Sequence, residues 1–117
     1  MAVSYLELED NYNVKTDDKP ISIEVEVGNG QSGAYVIFLG KKLKGTNSPA
    51  PLGQKADVKG QKATIATTVA DTLQETNWTS VTVYVIEGEN RTTFGPYKKQ
   101  AAQHLDTIIY TLQILFS

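Results

Sequence analysis

The sequence predicts an all-β protein, an antiparallel β-sandwich of about seven strands of the immunoglobulin-like or jelly-roll-like kind. Three observations predict it. Apolar and polar residues alternate with a period of two in several blocks, as in half-buried strands. These blocks are rich in β-branched and aromatic side chains, which a pleated surface favours. Glycine, asparagine and proline separate them, with too few helical segments to connect parallel strands.

The first half of the chain contains three predicted strands. Residues 3–8 alternate weakly, whereas residues 21–27 place isoleucine and valine on one face and serine and glutamate on the other. Residues 34–39 are apolar on both faces, which predicts a central strand that is covered on both sides. Segment 45–53 contains two prolines and two glycines, so we expect a surface loop between the sheets.

The second half contains further alternating blocks at residues 62–69, 80–86 and 106–116. The last of these has a long apolar stripe that ends at Phe116. Residues 91–94 are expected to pair back on 80–86, because residues 87–90 are rich in turn formers.

Helical patterning is sparse. A short helix is predicted over residues 96–105, because Pro96 suits a first turn and glutamine, alanine and lysine follow it. A single helical turn is predicted over residues 71–76.

Length and composition limit the classes of protein. A chain of 117 residues predicts one domain over residues 1–117, large enough for a hydrophobic core. The absence of cysteine excludes disulfides and thiolate sites, and a net charge of −2 argues against nucleic-acid binding. No signal peptide or apolar run of about 20 residues is present, so we expect no membrane span and, by default, a cytoplasmic location.

Charge is unevenly distributed along the chain. Residues 1–30 carry seven acids and two bases, whereas residues 31–62 carry six bases and one acid. Such separation can steer association with a partner. We favour the simpler interpretation, in which acidic and basic strands lie side by side and neutralise each other.

Catalytic residues are scarce. His104 is the only histidine, and no G-x-S-x-G motif accompanies it, so a nucleophilic triad is disfavoured. Glu24 and Glu26 share a predicted strand face and are the carboxylate pair on which a small hydrolase would depend. We expect a surface histidine, surface carboxylates and no enzyme activity.

The segment 28–33 matches G-x-G-x-x-G after a predicted strand. A dinucleotide site needs a helix to follow, but residues 34–39 are predicted as strand. A hairpin loop whose glycines adopt positive φ is therefore the favoured interpretation.

No cofactor is expected. Calcium remains an open alternative, because it needs only the oxygen ligands that loops supply. The candidates are Asp17 with Asp18, and Asp71 with Glu75 and Asn77. Ordinary turn chemistry explains the first pair equally well.

The favoured function is a non-catalytic interaction or assembly module, acting on a protein partner or by self-association through an edge such as strand 106–116. The alternative is a carbohydrate-binding module. Its stacking residues would be Trp78, Tyr84 and Tyr97, with calcium held by loop carboxylates. For Trp78 itself, the favoured interpretation is burial at one end of the core, because tryptophan is highly buried on average.

Overall fold

A computed structural model describes residues 2–29, 31–72 and 76–117 and confirms an all-β, sandwich-like fold. The described residues form nine strands, not seven. The strands are β1 (Val3–Tyr12), β2 (Ile21–Val27), β3 (Ser32–Leu39), β4 (Lys42–Thr46), β5 (Ala50–Gly53), β6 (Lys62–Ala70), β7 (Trp78–Glu87), β8 (Asn90–Gln100) and β9 (Thr107–Phe116). A short helix, α1 (Lys55–Val58), lies between β5 and β6. This helix is far too short to cross a bilayer, and no helix of the described residues has the length and apolarity for it.

Two sheets make up the fold. The five-stranded sheet has the order β1-β9-β6-β3-β4, and the four-stranded sheet has the order β5-β2-β7-β8. Neighbouring strands are antiparallel, as predicted, except that β1 runs parallel to β9. The long terminal strand is thus not an edge, because β9 lies between β1 and β6. The expectation that it offers an edge for association is wrong.

The core lies between the two sheets, and the period-two stripes define it as predicted. On β9 every second side chain from Ile108 to Phe116 is buried, and Val81, Val83 and Val85 of β7 face them from the other sheet. Burying side chains of this size stabilises the fold by about 1.5–3 kcal/mol each before the entropy cost of folding.

The helix predicted over residues 96–105 is wrong. The first half of this segment, residues 96–100, belongs to β8, and Tyr97 pairs with Val81 of β7. The register shifts between Val81 and Val83, which places Gly95 and Pro96 in a bulge of an edge strand. Proline is tolerated at bulges and sheet edges, where the ladder does not need its missing N–H. The hairpin predicted at residues 87–90 is confirmed, since Glu87 pairs with Asn90.

Two further expectations change. Segment 45–53 is not one loop, because Ala50 and Leu52 are buried in β5. Residues 34–39 form an inner strand of their sheet, but only their inward face is covered: Ile37 and Leu39 are buried, and Ala34 is exposed. The helical turn predicted over residues 71–76 lies in part outside the described residues.

The buried carboxylate of Glu87, at the end of β7, is hydrogen-bonded to the end of β1 and to the segment that follows it. Glu87 is fully buried, and its carboxylate accepts hydrogen bonds from the Tyr12 hydroxyl at 2.7 Å, the Thr16 hydroxyl at 2.7 Å and the Thr16 N–H at 2.7 Å. The Lys15 N–H donates to it as well, at 3.0 and 3.1 Å. We call this arrangement the Glu87 clamp. It joins the two sheets, because β1 and β7 belong to different sheets.

The Glu87 clamp keeps its carboxylate ionised. Burial acts to raise the pKa of Glu87, but the hydrogen bonds from Thr16, Tyr12 and Lys15 outweigh it and lower the pKa to about 2. Burial and the neighbouring Glu87 carboxylate raise the pKa of Tyr12 to about 12, so the phenol stays protonated and donates. The clamp is therefore a charged acceptor surrounded by neutral donors.

A second link between the sheets lies toward the other end of β7. Thr79 is buried, and its hydroxyl donates to the Lys99 carbonyl at 2.7 Å. Because this uses its one proton, the Tyr110 hydroxyl of β9 donates to the Thr79 oxygen at 2.6 Å. The two links hold opposite ends of the sandwich.

Replacing Glu87 by glutamine should destabilise the fold. The amide is close in size, but its NH₂ group would face N–H and O–H donors, and the buried donors would lose a charged acceptor. We expect a loss of about 2–3 kcal/mol in the free energy of unfolding, measured by urea denaturation. Glu89→Gln in the exposed turn is the control and should change stability by less than about 0.5 kcal/mol. Equal effects of the two substitutions would contradict the clamp.

Acid should remove the contribution of the Glu87 clamp. The native pKa of about 2 lies below the ordinary value of 4.5, so the unfolded chain takes up the proton first. The stabilisation is complete above about pH 4.5 and is lost as the pH falls toward 2. Urea unfolding at about pH 6 and about pH 2.5 would measure the difference in the free energy of unfolding between wild type and Glu87→Gln. We expect this difference to be smaller at the lower pH. A difference that is the same at both pH values would refute this assignment.

Candidate functional site

The three aromatic residues proposed as stacking platforms do not form one surface. Trp78 and Tyr84 lie on the outward face of β7, six residues apart, which is about 20 Å along a strand. Tyr97 pairs with the buried Val81 and packs against the core. The structure therefore separates Tyr97 from the other two.

Tyr84 belongs to a polar cluster on the outward side of the four-stranded sheet. Its hydroxyl donates to Glu26 at 3.1 Å, and the Arg91 guanidinium lies 4.3 Å from its ring centre. The Arg91 guanidinium also donates to Glu24 at 2.7 Å. The hydrogen bond to Glu26 raises the pKa of Tyr84. Glu24 and Glu26, the candidate hydrolase pair, are both engaged in this cluster.

Trp78 is exposed over 47% of its surface, which disagrees with its predicted burial at one end of the core. It borders an open cavity of about 450 Å³ together with Asn29, Thr76 and Lys98. An accessible indole ring can stack on a planar or apolar ligand.

The glycine-rich segment connects β2 to β3, but it is not the predicted hairpin loop, because β2 and β3 belong to different sheets. Gly28 and Gly33 are close-packed: a Cβ atom at Gly28 would lie 2.2 Å from the Ser80 hydroxyl oxygen, and one at Gly33 would lie 2.7 Å from Val27. The non-glycine residue Asn29 has φ 58°. Gly30 lies outside the described residues. The predicted positive φ is wrong for Gly28 and Gly33, and close packing accounts for these two glycines instead. As predicted, a strand and not a helix follows.

A buried polar network lies near the other end of the sandwich from the Glu87 clamp. Asp71 is fully buried and accepts a hydrogen bond from the Gln31 amide at 2.9 Å, while its second oxygen, Oδ2, has no partner among the described residues. Asp106 accepts the backbone N–H groups of Ala2 and Gln103, and these bonds lower its pKa although burial opposes them. The network links loops that follow β2, β6 and β8.

The structure describes both residues of the first calcium candidate and only part of the second. No group of three or more histidine, aspartate or glutamate residues gathers there at metal-binding distance. Asp17 instead lies 3.6 Å from Lys55. Glu75, a member of the second candidate, lies outside the described residues. His104 is partly buried, and its Nδ1 lacks a hydrogen-bond partner among them.

The charged blocks of the sequence mostly do not neutralise each other. Among the described residues only Lys55–Asp17 joins the two blocks as an ion pair. Acidic β1 and basic β4 form opposite edges of the five-stranded sheet, four strand spacings or about 19 Å apart. The expectation of side-by-side neutralisation is wrong for these two strands.

The outward side of the five-stranded sheet is largely uncharged, with polar and apolar side chains in similar number, and sequence reasoning did not single it out. We call it the outer face. The strand registers place on it Val3, Tyr5, Glu7 and Glu9 of β1, Thr107, Ile109, Thr111, Gln113 and Leu115 of β9, Lys62, Thr64, Ala66, Thr68 and Ala70 of β6, Ala34, Val36 and Phe38 of β3, and Leu43 and Thr46 of β4. Its charges are confined to β1 and to one end of β6.

Most of the large apolar residues that the fold leaves exposed lie on the outer face. Tyr5 is exposed over 66% of its surface, and Val3, Leu43 and Leu115 are exposed as well. The middle of the outer face consists of threonine, alanine, valine and isoleucine from β9, β6 and β3. Exposed apolar side chains around an uncharged surface are a feature of interaction sites in soluble proteins.

A basic cavity of about 680 Å³ opens at the corner where β4 leads into β5. Three lysines line one side of it, and apolar residues form its floor. Asp57 of α1 and the nearby Gln61 add polar groups to the lining. The lining residues are Leu39, Lys41, Lys42, Lys44, Pro51, Leu52, Gly53, Ala56, Asp57 and Gln61. The lysines come from β4 and the turn before it, in the basic block of the sequence, whereas β3, β5 and α1 supply most of the remaining lining.

No protein-family model, curated protein or solved structure matches this chain. Its function is therefore inferred from the surfaces described above.

Proposed function

We propose that this domain is a non-catalytic assembly module that associates with a second copy through the outer face. One observation carries the proposal: the middle of the outer face is uncharged, and large apolar residues are exposed around its margins, namely Val3, Tyr5, Leu43 and Leu115. An immunoglobulin-like or jelly-roll-like strand arrangement remains a prediction that accompanies it.

The two outward sheet surfaces differ in a way that favours the five-stranded sheet. On the four-stranded sheet, Glu24 and Arg91 form an ion pair, and Tyr84 is bonded to Glu26. These groups have partners and stay hydrated. On the outer face, covering Val36, Ile109 and their neighbours removes apolar surface from water with few charged groups to desolvate.

The size of the outer face suits a pair of identical sheets. Five strands spaced about 4.8 Å apart, with about eight residues each, give roughly 500 Å² per copy. A pair would bury about 1,000 Å², which is near the lower limit for a specific interface. A flat surface of threonine, alanine and valine can lie on an identical surface about 10 Å away, as the sheets of a sandwich do.

Edge pairing is the less favoured route to association. The edge strand β1 carries Glu7, Glu9 and Asp10, and the edge strand β8 carries Lys98 and Lys99 besides its proline bulge. Charged side chains, prolines and bulges on edge strands oppose the addition of a further strand.

Thr111→Lys should weaken self-association by at least about tenfold, because an ammonium group at the centre of the outer face would lose its water on association. Sedimentation velocity over about 1 µM to 1 mM would measure it. The matched control is Thr82→Lys, also a half-buried threonine in the middle of a strand, but on the four-stranded sheet. It should leave association unchanged.

Two outcomes would overturn the assembly proposal. The first is a wild-type chain that stays monomeric up to about 1 mM, where even weak association is detected. The second is a Thr111→Lys variant that associates as strongly as the wild type while unfolding at the same urea concentration.

Carbohydrate binding is a second candidate, favoured by the exposed Trp78 beside its open cavity. A stacked sugar ring would lie on the indole face. Tyr84 is less suited, because Arg91 covers its ring, and Tyr97 packs against the core. Calcium at loop carboxylates stays part of this alternative.

If Trp78 binds sugars, Trp78→Ala should abolish signal on a glycan array probed with and without calcium. Tyr5→Ala removes another exposed aromatic residue, on the opposite sheet, and should retain it. An array that shows no binding by the wild-type chain under either condition would eliminate this candidate.

A further inference from the structure

We infer that the basic cavity beside β4 binds a small organic anion with two or more negative charges and an apolar part. This site is distinct from the outer face, and the inference does not depend on self-association. It follows from the charge of the cavity, from the character of its floor and from its size.

The lysines of the cavity have no counter-charge of their own. Within the described ranges, no carboxylate lies within 4.0 Å of the ammonium groups of Lys41, Lys42 or Lys44. Lys42 and Lys44 are two residues apart on β4, and Lys41 lies in the adjoining turn, so all three reach the same space. Ammonium groups around one cavity repel one another, and an anion bound in that cavity would relieve the repulsion.

The one carboxylate in the lining does not neutralise these lysines. Asp57 Oδ2 accepts the Gln54 N–H at 2.9 Å, which holds the carboxylate at the start of α1. The lining therefore keeps a net charge of +2. The Gln61 amide also faces this region, and its NH₂ group donates to the Asp57 carbonyl at 2.7 Å.

The floor of the cavity is apolar. Leu39 and Leu52 are buried core residues whose edges line it, together with Pro51 and Ala56. Inorganic phosphate alone would leave this floor uncovered. A volume of about 680 Å³ falls within the range of about 300–1,000 Å³ that is typical of small-molecule sites. An anion with an attached apolar group fits both parts of the lining.

Isothermal titration calorimetry with four probes would test the site. Pyrophosphate and citrate distinguish phosphate from carboxylate recognition. Naphthyl phosphate and inorganic phosphate differ only in the apolar group. We expect naphthyl phosphate to bind at least about threefold more tightly than inorganic phosphate, because its ring covers the floor. The titrations would contain salt at about 0.1 M, which suppresses the long-range attraction between the anionic probes and the lysines.

The variant Lys42→Gln/Lys44→Gln should weaken binding of the preferred probe at least about tenfold, because it removes two charge-assisted contacts. The control Lys98→Gln/Lys99→Gln removes the same charge from β8, away from the cavity, and should change binding less than about twofold. Equal weakening by both variants would overturn the inference, since it would indicate bulk charge alone. Absence of binding by every probe at about 10 mM would overturn it as well.

Discussion

The Glu87 clamp is the interaction on which much of this structure depends. A fully buried carboxylate is costly unless it is satisfied, and here Tyr12, Lys15 and Thr16 supply its donors. By holding these residues it fixes the segment that crosses from the five-stranded to the four-stranded sheet. That segment in turn contacts the flank of α1, because the Asp18 carbonyl accepts the Gln54 amide. The clamp is thus connected, through one short segment, to a wall of the basic cavity.

The two outward surfaces of the sandwich share the same strand geometry but differ in the residues that the sequence places on them. Alternation sends every second side chain outward on both sheets. On the four-stranded sheet these side chains are charged and pair with one another, as Glu24 does with Arg91. On the five-stranded sheet most of them are uncharged, as Ala66 and Ile109 are, and the charged ones are Glu7, Glu9 and Lys62. The proposed assembly depends on this difference, because covering uncharged side chains requires little desolvation of charge.

Strand positions and inward faces could largely be predicted from the sequence, because alternation is a local property. The failures have physical causes. Pro96 is as compatible with a bulge in an edge strand as with a first helical turn, and only pairing with β7 decides between them. Ala50 and Leu52 lie in a segment rich in proline and glycine, so their burial depends on the sheet that β5 joins. Trp78 and Tyr97 were both predicted to be stacking residues, but Trp78 lies on the outward face of the four-stranded sheet and Tyr97 on its inward face.

By itself, the sequence determined the class of fold, the inward stripes of β6, β7 and β9, and the hairpin between β7 and β8. Period-two patterning and backbone sterics act over a few residues, so they can be recognised without a structure. Only the tertiary structure decided that Glu87 is buried, that Lys41, Lys42 and Lys44 share a cavity with Leu52, and that one sheet carries an uncovered apolar face. These properties depend on contacts between residues that are distant in the chain, and strand order, which local patterning does not encode, creates those contacts.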